Sequence, residues 1–81
     1  MILPDLNLLL YAYNRHAPQH GKARDWWESV LNGRELVGLP HEVTLGFVRI
    51  ATNPKLGQSA VSLSVAKQAV DVWQGASVAR V

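Results

Sequence analysis

Ile2-Leu3-Pro4-Asp5-Leu6-Asn7-Leu8-Leu9-Leu10-Tyr11-Ala12-Tyr13 is the stretch whose reading decides the fold. Its first residues form a short apolar run that ends in a carboxylate, and the residues after Asp5 have the leucine density of a buried helix. The reading is strand, then helix. Pro4 donates no backbone hydrogen bond, so a long central ladder does not pass through it. Asp5 then stands at the carboxyl end of a strand and beside a helix N-terminus, where backbone amides favour an acidic group.

The chain breaks at Asn14 to Pro18, after which Ala23, Trp26, Trp27, Val30 and Leu31 repeat with the spacing of an amphipathic helix that Asn32-Gly33 ends. Leu36-Val37-Gly38-Leu39 reads as a second buried strand, and Pro40 suits the start of a helix from His41 to about Asn53, stopped by Pro54. Val43, Leu45, Phe47, Val48 and Ile50 spread around nearly the whole of that helix, which predicts burial on more than one side. Pro54 to Ser62 reads as a polar loop containing a glycine. Ser64 then caps a last helix with Val65, Ala66, Ala69, Val70 and Trp73 on its inner face, closed by Gly75. Ser77 to Val81 alternates like the opening of a third strand.

Strands separated by helices predict an α/β fold, a short parallel sheet flanked by helices and incomplete at the C-terminal end. Such a thin sheet leaves an edge and part of a face to be covered by more chain or by a second copy.

The 81 residues hold one domain at most, and 48% hydrophobic against 17% charged is the balance of a chain with a folded core. The absence of cysteine excludes disulfide staples and thiolate zinc sites and suits a reducing cytoplasm. No apolar run approaches the roughly 18 residues of a membrane span, and the start lacks the features of a signal peptide. Eight basic against six acidic residues give a net charge of +2, which tolerates a polyanion without demanding one.

Asp5 is the most informative carboxylate, because ligands of open α/β sheets bind beyond the carboxyl ends of the strands. The same position suits a simple helix cap, and spacing alone leaves metal ligand and cap both open. Asn7 suits either a phosphate contact or the start of the helix. His16 and His20 are four apart, but Ala17-Pro18 interrupts the helix that such a metal pair needs, so they read as loop residues. Arg15, Lys22, Arg24, Arg49 and Lys55 offer positive charge for phosphates. Trp26, Trp27 and Trp73 read as core residues, with one of the adjacent pair free to face a partner chain.

The opening stretch resembles the beginning of the PIN domains of VapC toxins. The Trp26-Trp27 helix, the strand ending Gly38-Leu39-Pro40, the segment Gly46-Phe47-Val48-Arg49-Ile50-Ala51-Thr52-Asn53-Pro54 and the helix start Leu63-Ser64-Val65 extend the resemblance over essentially the whole chain. The resemblance implies that residues 1–81 are the N-terminal part of a single PIN domain. It further implies a Mg²⁺- or Mn²⁺-dependent endoribonuclease of a toxin–antitoxin pair, with RNA as substrate, a cognate antitoxin as partner and a homodimer as the assembly. Asp5 is then the catalytic, metal-binding carboxylate, with Asn7 and Arg49 toward the substrate. The family's second acid aligns best with Phe47, which leaves Glu42, displaced toward the helix start, as the available metal ligand. Further family aspartates come from beyond the third strand, so weak or no activity is expected of this length alone. A non-catalytic remnant that acts as a protein-interaction module is the alternative.

Overall fold

A computed structural model describes all 81 residues. In chain order it comprises α1 (Leu6–Tyr13), α2 (His20–Leu31), β1 (Val37–Gly38), α3 (His41–Ala51), a 3₁₀ segment (Pro54–Ser59), α4 (Leu63–Gly75) and β2 (Ala79–Arg80). The α/β class holds, but the sheet is smaller than three full strands. β1 pairs in parallel with β2, Val37 opposite Ala79 and Gly38 opposite Arg80. On the other side of β1, the opening segment contributes one parallel bridge, Ile2 to Val37.

The backbone explains this asymmetry. Val37 and Leu39 donate to the carbonyls of Val78 and Arg80 at 2.8 and 2.7 Å, whereas Gly38 donates to Ile2 at 2.8 Å, so β1 is the central strand. Two residues after Ile2, Pro4 has no N–H with which to continue the ladder. Val37, Leu39 and Val78 point into the core with the helices. Gly38 faces the opposite way, beneath Met1 and Leu3; a Cβ there would lie 2.6 Å from Leu3 Cδ2. Met1, Leu3 and Leu36 on that side are exposed. The helices therefore gather on one face of the sheet, where the alternation of strands and helices predicts both faces covered.

Three local readings shift. α2 starts at His20, whose ring Nδ1 lies 3.0 Å from the Tyr11 carbonyl oxygen and ties the helix start to α1. Pro54–Ser59 is a 3₁₀ segment instead of an open loop, with Asn53 Oδ1 accepting from Lys55 N at 3.0 Å. Gly57 lets it turn, at φ 61. Ser62, not Ser64, caps α4: its backbone is extended, as a cap requires, and its Oγ accepts from Val65 N at 3.1 Å. With the helix set from that cap, Val65 turns outward and the inner face is Ala66, Ala69, Val70 and Trp73.

The core is aromatic at its centre. Phe47 and Trp73 are fully buried and meet edge to face at 4.6 Å, and Trp27 meets Trp73 at 5.5 Å with perpendicular rings. Tyr13 packs against both Phe47 and Trp73, at 5.4 and 5.5 Å, and its hydroxyl accepts a hydrogen bond from Trp73 Nε1 at 2.8 Å. Burial pushes the Tyr13 hydroxyl above its ordinary pKa, against the opposing effect of that bond. Trp26 stacks on Trp27 with its outer side 37% exposed, so the adjacent tryptophans divide between core and surface. On α3, Phe47 is buried but Leu45 is 67% exposed, so this chain buries only part of the helix circumference.

Candidate functional site at the carboxyl edge of the sheet

Two helices begin where two neighbouring parallel segments end. The Ile2 segment leads into α1, and β1 leads into α3. Parallel neighbours share a direction, so Asp5, just before α1, and Glu42, in the first turn of α3, stand at the same edge of the sheet.

Asp5 is exposed, with an extended backbone at φ −71, ψ 134. Its Oδ1 accepts from Asn7 N at 3.1 Å, and its carbonyl accepts from Leu8 N and Leu9 N. It is therefore a helix cap, and the capping occupies one of its two carboxylate oxygens. Glu42 is exposed, with no ion pair. Four residues further along α3, Gly46 packs against Leu6 of α1: a Cβ at Gly46 would lie 3.2 Å from Leu6 Cδ2. Residues four apart share a helix face. The α3 face that meets the start of α1 is thus the face that carries Glu42.

The other expected residues fall differently. Asn7 bonds to Asp5 through its backbone amide, which leaves its exposed side chain clear of that bond. Arg49 lies in the last turn of α3, seven residues or roughly 10 Å of helix rise from Glu42, so it does not join the Asp5 edge. Phe47 is a core residue. His16 and His20 take part in separate local hydrogen bonds, through His16 N to Asn14 Oδ1 and His20 Nδ1 with the Tyr11 carbonyl. No three His, Asp or Glu side chains form a cluster able to hold a metal. The largest surface hollow, about 640 Å³ between the ends of α2 and α4, is lined by Glu28, Asn32 and Ser77 among others, apart from Asp5 and Glu42. The carboxylate edge is open ground rather than a cleft.

Sequence reasoning passed over Gly46, although a glycine inside an otherwise apolar helix is a signal of close approach. It also passed over the bond between Tyr13 and Trp73, sixty residues apart, which no local pattern announces.

Chemically, the edge offers hard oxygen donors and no nitrogen or sulfur set. That fits Mg²⁺, which is commonly held by one or two carboxylates with water and phosphate oxygens completing an octahedron. No helix is long and apolar enough to cross a membrane.

No protein-family model matches the chain. Among curated proteins, it is 46% identical over 56 residues to Ribonuclease VapC33 of Mycobacterium tuberculosis, covering 69% of this chain and 39% of that protein. It is 35% identical over 79 residues to Ribonuclease VapC43 of the same organism, covering 98% of this chain and 54% of that protein. Ribonuclease VapC48 matches at 34% over 67 residues, 83% of this chain and 46% of the relative. The chain therefore belongs with the VapC ribonucleases, and it spans about half the length of the curated relatives it matches.

Proposed function

We propose that this chain carries the first part of the active site of a VapC-type endoribonuclease toxin, which hydrolyses RNA phosphodiester bonds with Mg²⁺ or Mn²⁺. The observation that carries the reading is the near full-length likeness to proteins named ribonucleases, joined to a carboxylate at the strand end where α/β sheets bind ligands. Asp5 holds the ion through the oxygen left over from capping, and Glu42 approaches from α3. When bound, the metal supplies a polarised water and a counter-charge for the phosphate during in-line attack. The Asn7 side chain donates to a phosphate oxygen near Asp5, while Arg49 contributes a more distant phosphate contact that steers the RNA.

Two carboxylates are a sparse set, so the remaining acids of the site are supplied from outside residues 1–81. The protein works in the cytoplasm, pairs with an antitoxin protein and self-associates, for which the exposed Leu3, Leu45 and Val72 provide apolar surface.

The test is a nuclease assay on the gene's full product and on the 81-residue chain, each as wild type and as Asp5→Asn. Asparagine caps a helix as well as aspartate does but carries no charge. Cleavage should be metal-dependent in the full product, lost in its Asp5→Asn form, and weak or absent in the short chain. Robust cleavage by the full Asp5→Asn protein would remove Asp5 from the mechanism. Absence of cleavage by a folded full wild-type protein would favour the interaction module.

A further inference from the structure

We propose that Gly46 is a positioning residue, which brings α3 close enough to α1 for Glu42 and Asp5 to reach one ion. The inference deepens the reading of the carboxylate edge as a metal site and rests on it.

Glycine is among the least favourable residues inside a helix, yet Gly46 sits buried in the middle of α3. Gly21, Gly57 and Gly75 have nothing within 4 Å of a built Cβ, whereas Gly46 has Leu6 Cδ2 at 3.2 Å and Leu6 Cδ1 at 4.0 Å. Its missing side chain is therefore used at the contact between two helices. That contact lies beside both carboxylates. Leu6 directly follows Asp5, and the Asp5 carbonyl is held by Leu8 N and Leu9 N, so Asp5 moves with the first turn of α1. Glu42 lies one turn before Gly46 on the same α3 face.

Carboxylate oxygens sharing a Mg²⁺-sized ion must lie about 3–4 Å apart, given bond lengths near 2.1 Å and an octahedral arrangement. A methyl at Gly46 forces Leu6 or the helix to yield by a few tenths of an ångström. Such a shift is small for packing but large for a coordination shell that tolerates little distortion.

The experiment follows Mn²⁺ binding by electron paramagnetic resonance, with thermal melting alongside, on the full gene product. The samples are wild type, Asp5→Asn, Gly46→Ala, Leu6→Val and the Gly46→Ala/Leu6→Val double variant. Gly46→Ala should weaken Mn²⁺ binding about tenfold, the scale of changes that misplace a metal ligand. Its melting temperature should stay equal or rise, because alanine favours the helix. Valine at position 6 removes the atom that the new methyl meets, so the double variant should regain most of the affinity. If Asp5→Asn loses Mn²⁺ while Gly46→Ala binds like wild type, the positioning role is overturned and the metal site stands. A weakened Gly46→Ala that Leu6→Val does not rescue also overturns it, since the effect would not run through Leu6. If Asp5→Asn binds Mn²⁺ like wild type, the underlying site reading falls instead.

Discussion

Replacing Tyr13 by Phe leaves every ring of the aromatic cluster in place and removes a single hydrogen-bond acceptor. Trp73 is fully buried and its Nε1 donates to the Tyr13 hydroxyl at 2.8 Å, so Tyr13→Phe leaves an indole N–H without a partner where water does not reach. Leaving such a donor unpaired costs about 1–3 kcal/mol, more than the net worth of an ordinary hydrogen bond. At roughly 4–8 °C per kcal/mol for a domain of this size, the melting temperature should fall by roughly 4–20 °C. Urea unfolding followed by tryptophan fluorescence gives the free energy directly, and a cycle with Trp73→Phe isolates the pair. Trp73→Phe should cost less in the Tyr13→Phe background than in wild type. The pH dependence supplies a second check. The folded state raises the Tyr13 pKa above 10.0, chiefly through burial, so the unfolded chain loses this proton first. The contribution is complete below pH 10 and is lost as the pH rises through the folded pKa. Tyr13→Phe should lack that alkaline loss. If it were as stable as wild type and showed the same alkaline profile, the bond would hold nothing together.

Iodide should quench a minority of the tryptophan emission, arising from the 37% exposed Trp26, with Trp27 and Trp73 protected; Trp26→Phe should abolish the quenchable fraction, and equal quenching of all three would break the core assignment. Sedimentation of the 81-residue chain should show self-association, because exposed Leu3, Leu36, Leu45 and Val72 leave apolar surface uncovered; a cooperative, stable monomer at low concentration would contradict this.

Periodicity located most of the elements because each helix presents a simple apolar stripe. Leu9 with Ala12, Ala23 with Trp27 and Val30, and Ala66 with Ala69 and Trp73 all reach the core at helical spacing. It failed where neighbours outside the window decide the outcome. Ser62 and Ser64 are equally good caps by composition, and only the turn of chain entering α4 selects Ser62. The third strand shrank to one bridge because Pro4 ends what Ile2 begins. The spread of apolar residues around α3 reads as all-round burial, yet Leu45 remains outside, since composition records which surfaces are apolar and not whether this chain supplies their cover.

The site was legible to a different degree. From spacing, cap and metal ligand are rival descriptions of Asp5; in the structure they are compatible, because one oxygen accepts from Asn7 N and the other is left for a different partner. The cap orients the carboxylate without consuming it. Glu42 was harder to weigh, because a first-turn glutamate is favoured by the helix dipole whatever else it does. What raises its standing is Gly46, one turn along the same face and packed on the residue next to Asp5. That relation joins residues forty positions apart and appears only after the strands have set the two helices side by side. Arg49 illustrates the opposite case: its charge suits a phosphate, but two turns of helix separate it from the carboxylates, so any contact it makes with RNA serves binding and not the reacting phosphate.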